Sequence, residues 1–323
     1  LVVKYLDFCR ESLTTEGFVL NKYTACGAVG SCWHPKFVFR KRLHAIQEDE
    51  TALIPLVLLE LCNHGDHLEI VQRFWGSLIR PIADFMCSFV DKETGLPMAS
   101  YDSWEEHVGV WSYTTSTVIA GLYAAAQIAD WTGHTSLSKK YRETARELRK
   151  SMVKYLWSPE HNRFLKGLQL TAEGLTPNTD TDAGLSQIWE LDVFPADNEM
   201  VVATMNSIQQ NLSLQSGGVA RYPGDNYQRE PDFPTNEPGN PWIISTLWLA
   251  NWHIAKAQNK TDLHEARNLI SWCTDRASSA GLFPEQVNPI TNKPLSVAPL
   301  SWSHSTFLDT VMRYSDKFST LKK

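Results

Sequence analysis

A chain of 323 residues with 43% hydrophobic content is long enough to bury a large core, as one big domain or two small ones. Its 30 Lys and Arg against 36 Asp and Glu give a net charge of −6 with no basic stripe, which excludes the electrostatic footprint of a nucleic-acid binder. No apolar run reaches bilayer-crossing length, so no membrane partner is expected.

In chain order, residues 1–13 predict an amphipathic helix, and the turn-rich stretch 17–34 a short hairpin. Residues 47–61 read as a helix that is almost wholly apolar after its acidic start, which is the pattern of a buried helix. Residues 69–90 read as another helix, bent at Pro81. A loop punctuated by Gly95-Leu96-Pro97 follows and carries Asp102, Trp104, Glu105, Glu106 and His107. Read locally, those acids are either functional groups on a loop or charges complementing the start of the next helix.

Residues 110–132 predict a helix whose Ala120, Gly121, Ala124, Ala125 and Ala126 permit close packing. Residues 136–157 differ: Leu137, Tyr141, Ala145, Leu148, Met152 and Leu156 share one face and charges occupy the other, as in an outer helix. The alternation continues with 181–191 apolar, 196–211 amphipathic, 241–257 apolar, 263–273 amphipathic and 301–314 apolar. About ten helices in this order, with strands almost absent, predict an all-α toroid of helical hairpins, inner helices alternating with outer ones. Residues 1–323 are expected to form that single domain. No period of 20–50 residues recurs, so a helical-repeat array is disfavoured.

The six cysteines, Cys9, Cys26, Cys32, Cys62, Cys87 and Cys273, show no paired spacing and read as free thiols. That points to a cytoplasmic chain, with a secreted one as the alternative. The start, Leu1-Val2-Val3-Lys4, lacks a methionine and a signal-peptide layout, and the expectation is a chain cut from something longer. Twelve Trp, ten Tyr and thirteen Phe, many of them next to Pro, Gly or acids in apparent loops, suit sugar rings, whose C–H faces stack on apolar surface while their hydroxyls need acceptors. Core packing is the competing use. His34, His107 and His304 read as structural residues. No metal-ligand spacing, no Gly-x-Ser-x-Gly and no phosphate-cradling loop is present, so no metal or cofactor is expected.

Several motifs in one order carry a resemblance: Trp33-His34-Pro35, Gln47-Glu48-Asp49-Glu50-Thr51-Ala52, Gly95-Leu96-Pro97 with Ser100-Tyr101-Asp102-Ser103-Trp104-Glu105-Glu106, Gly218-Val219-Ala220-Arg221-Tyr222, Gly239-Asn240-Pro241-Trp242, Pro284-Glu285-Gln286 and Ser301-Trp302-Ser303-His304. Together they resemble the catalytic domain of the glucoamylase family of inverting glycoside hydrolases, family 15, in its prokaryotic branch. The resemblance implies an (α/α)6 barrel with a funnel-shaped active site. It implies Glu105 as general acid and Glu285 as general base, with inversion and release of β-glucose from α-linked glucans or oligosaccharides. It also implies sugar contacts from Arg221, hydroxyl acceptors at Glu106 and Asp225, and a wall at Trp242. The same resemblance implies that Asp102 and Trp104 belong to the sugar site. Trp33 and Trp302 read either as binding aromatics or as barrel caps, Arg221 has an ion pair with Asp225 as its alternative, and Glu48, Asp49 and Glu50 face the funnel or simply complement a helix terminus.

The chemistry needs the two carboxyls in opposite states. Asp102, Trp104 and Glu106 around Glu105 favour its neutral form, whereas Glu285, between Pro284 and Gln286, has no acid within several residues. Two departures bear on substrate fit: Ser103 stands where leucine is usual and His107 where arginine is frequent. The resemblance further implies that the first two barrel helices, with a Trp-x-Arg-Asp motif gripping the terminal glucose, lie in an N-terminal remainder of the parent chain. Low activity is the expectation for the chain without it. A trehalase of the same family and a non-catalytic sugar-sensing barrel are the alternatives.

Overall fold

The computed structural model describes residues 1–31, 37–38, 41–42, 45–65, 68–234 and 236–321. The chain divides into two compact units: residues 1–158, 165–178 and 191–193 in the first, and residues 159–164, 179–190 and 194–323 in the second. Among the described residues, no helix is long and apolar enough to cross a membrane.

In the first unit the helices are α1 (Val2–Ser12), α2 (Glu48–Asn63), α3 (Leu68–Phe74), α4 (Arg80–Ser88), α5 (Ser112–Trp131) and α6 (Thr135–Leu156). Its strands are β1 (Phe37–Val38), β2 (Lys41–Arg42), β3 (Ser100–Tyr101), β4 (Val108–Trp111), β5 (Trp157–Ser158), β7 (Gly167–Thr171) and β8 (Gly174–Asn178). The bend expected at Pro81 takes the form of a π turn, Trp75–Ile79, between α3 and α4. Proline has no N–H to give the preceding turn, and the Arg80 N–H reaches back to the Trp75 carbonyl, leaving a five-residue ring in the ladder.

Helix α5 is buried around almost its whole circumference, as its small apolar sequence predicts. It crosses α2 so closely that a Cβ on Gly121 would lie 2.3 Å from the Ala52 carbonyl oxygen, a contact only glycine permits. Helix α6 is amphipathic, burying Ser138, Tyr141, Ala145, Leu148, Met152 and Leu156 at helical spacing and exposing its charges. The inner and outer characters read from these two sequences are therefore correct.

The near absence of strands is not. The first unit contains a four-stranded antiparallel sheet in the order β3-β4-β7-β8, with Ser100 opposite Gly109 and Val110 opposite Leu168. Residues 108–111 were covered in part by the apolar pattern of α5, which hides a strand that runs straight into a buried helix.

The second unit contains β6 (Arg163–Phe164), α7 (Gln187–Glu190), α8 (Glu199–Leu212), β9 (Val219–Ala220), β10 (Pro241–Trp242), α9 (Ile243–Lys256), α10 (His264–Thr274), β11 (Gln286–Val287), β12 (Pro294–Leu295) and α11 (Ser301–Thr320). Helix α9 is buried from Ile243 to Trp252, while α10 buries only Ala266 and Cys273, so the alternation holds here too. The strands form a second antiparallel sheet in the order β12-β11-β10-β9. Substituting Gly121 by Ala is expected to destabilise the chain by about 1–3 kcal/mol through overpacking against α2; urea denaturation of the two proteins checks it.

Candidate active site

The expected acid, Glu105, sits at the tip of the β3-β4 hairpin, and not in the first turn of a helix. Helix α5 begins at Ser112 with no acid in its first turn, so the helix-terminus reading of these acids fails. Tyr101 pairs with Val108, which leaves residues 102–107 to close the hairpin. Glu105 adopts φ +62°, a left-handed conformation that costs a non-glycine residue about 1–2 kcal/mol.

Asp102 holds that loop in shape. Its carboxylate Oδ1 accepts the backbone N–H groups of Glu106 at 2.8 Å and His107 at 3.1 Å. Its carbonyl accepts from the Glu105 N–H at 3.0 Å and from Gln47 Nε2 at 3.1 Å. Gln47, just ahead of α2, in turn accepts from Asn21 Nδ2 at 3.0 Å. Asp102 and Trp104 are buried, Glu105 is half-buried and Glu106 is exposed.

Glu48, Asp49 and Glu50 form the first turn of α2 and are largely withdrawn from water. Burial pushes the Asp49 carboxyl up to about 7, opposed by a hydrogen bond from Thr114 Oγ1 at 3.3 Å. Burial, then the Asp49 carboxylate and then Glu105, push Glu50 up to about 9. Glu48 is fully enclosed with neither oxygen hydrogen-bonded, and desolvation raises it well above the carboxylate range. A turn that reads as negative charge thus contains acids biased toward their neutral forms.

In the second unit, the sheet gathers the predicted residues from three distant stretches. Arg221 follows β9, Trp242 ends β10 and Glu285 precedes β11, with Trp242 opposite both Val219 and Gln286. The Ile243 N–H donates to the Glu285 carbonyl at 3.2 Å, and the Glu285 N–H donates to the Val297 carbonyl at 2.9 Å. One carboxylate oxygen of Glu285, Oε2, is buried and accepts no hydrogen bond.

Arg221 and Asp225 are bound to each other. The guanidinium donates through Nε at 2.7 Å and Nη2 at 2.8 Å, and its carbon lies 4.6 Å from the centre of a Trp242 ring. Asp225 also accepts the Tyr227 N–H at 2.9 Å. The ion pair foreseen as the alternative for Arg221 is therefore present. Trp302, on the first turn of α11, is 40% exposed and meets Trp248 edge-on at 5.7 Å. Trp33 lies outside the described residues. His304 accepts the Phe283 N–H at 3.0 Å, the structural role expected of it.

Residues not singled out as site members also converge here. Asn240 donates to Gln286 Oε1 at 2.9 Å and to the carbonyls of Tyr227 and Gln228, tying the Arg221 loop to the strand beside Glu285. Their membership in the Gly-Asn-Pro-Trp and Pro-Glu-Gln motifs was the available signal.

Residues 32–275 match the sequence profile of glycosyl hydrolases family 15. The chain belongs to that family. Within it, the chain is 29% identical to an uncharacterized glycosyl hydrolase of Methanocaldococcus jannaschii, over 94% of this chain and 46% of the relative. It is 24% identical to a glucoamylase of Clostridium sp., over 81% of this chain and 38% of that protein. It is also 24% identical to a trehalase of Thermoplasma acidophilum, over 67% of this chain and 34% of the trehalase. The chain thus spans less than half the length of these curated relatives. A bacterial glucoamylase solved with acarbose superposes with a TM-score of 0.74 at 20% identity, covering 97% of this chain and 45% of that one. The fold is accordingly the mostly helical, (α/α)6-barrel type expected of the family.

The raised Glu50 carboxyl has a thermodynamic signature. The folded state holds its proton more tightly than the unfolded one, so this contribution to stability is complete below the ordinary carboxylate range and is lost as pH rises toward about 9. Glu50→Gln, which cannot ionise, should gain stability over the parent chain by on the order of 1–3 kcal/mol between pH 5 and pH 9. Thermal denaturation of both proteins across that range measures the difference.

Proposed function

We propose that this chain carries the catalytic apparatus of an exo-acting glycoside hydrolase that releases β-glucose with inversion from the non-reducing ends of α-linked glucans or oligosaccharides. Glu105 serves as general acid, giving its proton to the glycosidic oxygen, and Glu285 as general base, activating a water on the opposite face of the sugar. The observation that carries this reading is the left-handed backbone of Glu105 at a hairpin tip, fixed by its neighbour Asp102. Strain of this kind persists only where the surroundings over-determine it, and here it presents a carboxyl from a loop anchored at both ends.

One further feature supports the pairing. The buried, unbonded Oε2 of Glu285 suits an atom that accepts a proton from a bound water. Trp104, Glu106, Trp242, Trp302 and the Arg221-Asp225 pair would line the sugar site, and no cofactor is required. The match to the Thermoplasma acidophilum trehalase favours one second reading, the same acid and base acting on trehalose.

The test is the anomeric form of glucose released from maltose, isomaltose and trehalose, followed by proton NMR. β-Glucose from maltose, reduced by about 10²–10⁴-fold or more in Glu105→Gln and in Glu285→Gln, is the expected result. Preference for trehalose would select the second reading. Release of α-glucose, undiminished turnover in either variant, or no turnover by the folded chain on any of the three sugars would overturn the proposal.

A further inference from the structure

Lysine is almost never buried without a partner, and Lys166 is 7% exposed. It lies just ahead of β7, and its backbone is fixed to the start of α5. The Ser112 N–H donates to the Lys166 carbonyl at 3.0 Å, and Ser112 Oγ donates to the Leu165 carbonyl at 2.7 Å. Its ammonium lies 5.7 Å from the centre of a Trp111 ring and 3.4 Å from Asp102 Oδ2.

Trp111 is itself held by the sheet. Its indole N–H donates to the Ser100 carbonyl at 3.0 Å, and its ring passes so close to the strands that a Cβ on either Gly109 or Gly167 would come within 2.7 Å of it. Ring, ammonium and carboxylate therefore form one stack, built from β4, the start of β7 and the hairpin loop.

The two oxygens of Asp102 divide the work. Oδ1 binds the N–H groups of Glu106 and His107, whereas Oδ2 is buried and accepts no hydrogen bond. Titratable residues on the elements that meet this carboxylate include Asp49 from α2, Glu105, Glu106 and His107 from its own loop, and Lys166. Acids dominate that set, so an uncompensated Asp102 would be repelled from its place. The nearby ammonium supplies the compensation.

From this arrangement we infer that Lys166 is a positioning residue for Glu105: by neutralising Asp102 from behind, it keeps the Asp102 carboxylate turned toward the loop N–H groups and the loop wound around Glu105. The inference rests on the proposed role of Glu105, but the conformational part stands without it. An amino group fixed on an aromatic platform acts here through another residue.

The experiment compares the unaltered chain with Lys166→Met and Lys166→Arg. Amide hydrogen exchange should be about tenfold or more faster at Glu106 and His107 in Lys166→Met, with the β7-β8 ladder unchanged, and Lys166→Arg should restore protection. With maltose as substrate, kcat should fall by about tenfold or more in Lys166→Met while KM stays within about twofold, again with rescue by arginine. Should Lys166→Met be too unstable to purify, Lys166→Gln read on the same amides takes its place. Unchanged protection of Glu106 and His107, or loosening spread evenly through the sheet, overturns the inference. Absence of turnover in the unaltered chain counts against the proposed function and leaves the exchange measurement to decide the role of Lys166.

Discussion

Loop N–H groups withdrawn from water must find acceptors, and in the 102–107 loop the acceptor is the side chain of the loop's first residue. Asp102 gathers two N–H groups on one oxygen and two more donors on its carbonyl, so six residues of irregular backbone adopt one shape without a strand ladder. The position of Glu105, and the strain it bears, depend on that single carboxylate. The tie to α2 runs through the main chain of the same residue, where the Gln47 amide donates to the Asp102 carbonyl. A short polar side chain at the base of a loop here does what several packed residues do in a core.

The two units use the same physical device. In the first, a buried ammonium pairs with Asp102 over the indole of Trp111; in the second, a buried guanidinium pairs with Asp225 over the indole of Trp242. Each pair stands close in sequence or in the sheet to one of the two candidate carboxyls. A buried ion pair is a poor source of stability, because desolvation offsets most of the attraction, but it is directional and tolerates few rearrangements. The aromatic face beneath each cation adds attraction without competing for its hydrogen-bond donors. Here each pair lies beside a candidate carboxyl, where a purely apolar contact would leave loops free to slide.

Much of the helical framework was legible because burial imposes a period on the sequence. Tyr141, Ala145, Leu148, Met152 and Leu156 could be assigned to the inner face of α6 from spacing alone. Glu105 and Glu285 were nominated by motif order, not by periodicity. The β4 strand was hidden because Val108-Gly109-Val110-Trp111, buried throughout, gives the unbroken apolar run of an inner helix. The β7-β8 hairpin escaped for the opposite reason: its residues are only partly buried, so the alternation is faint. Lys166 carried no signal, since a lone lysine before a strand normally points to water. The acids of α2 were visible, but their enclosure depends on α5, whose Thr114 lies far along the chain.

The sheet of the second unit has a consequence for how the chain acquires its structure. Helical hairpins such as α5 with α6 close through neighbouring residues, whereas the pairing of Trp242 with Gln286 joins positions more than forty residues apart. Long-range pairing costs loop entropy before it returns any contact, so it is a late event in the assembly of a domain. Arg221, Trp242 and Glu285 are brought together only by that pairing. The segment that bears half of the candidate chemistry therefore takes its arrangement from pairing that no local contact can supply.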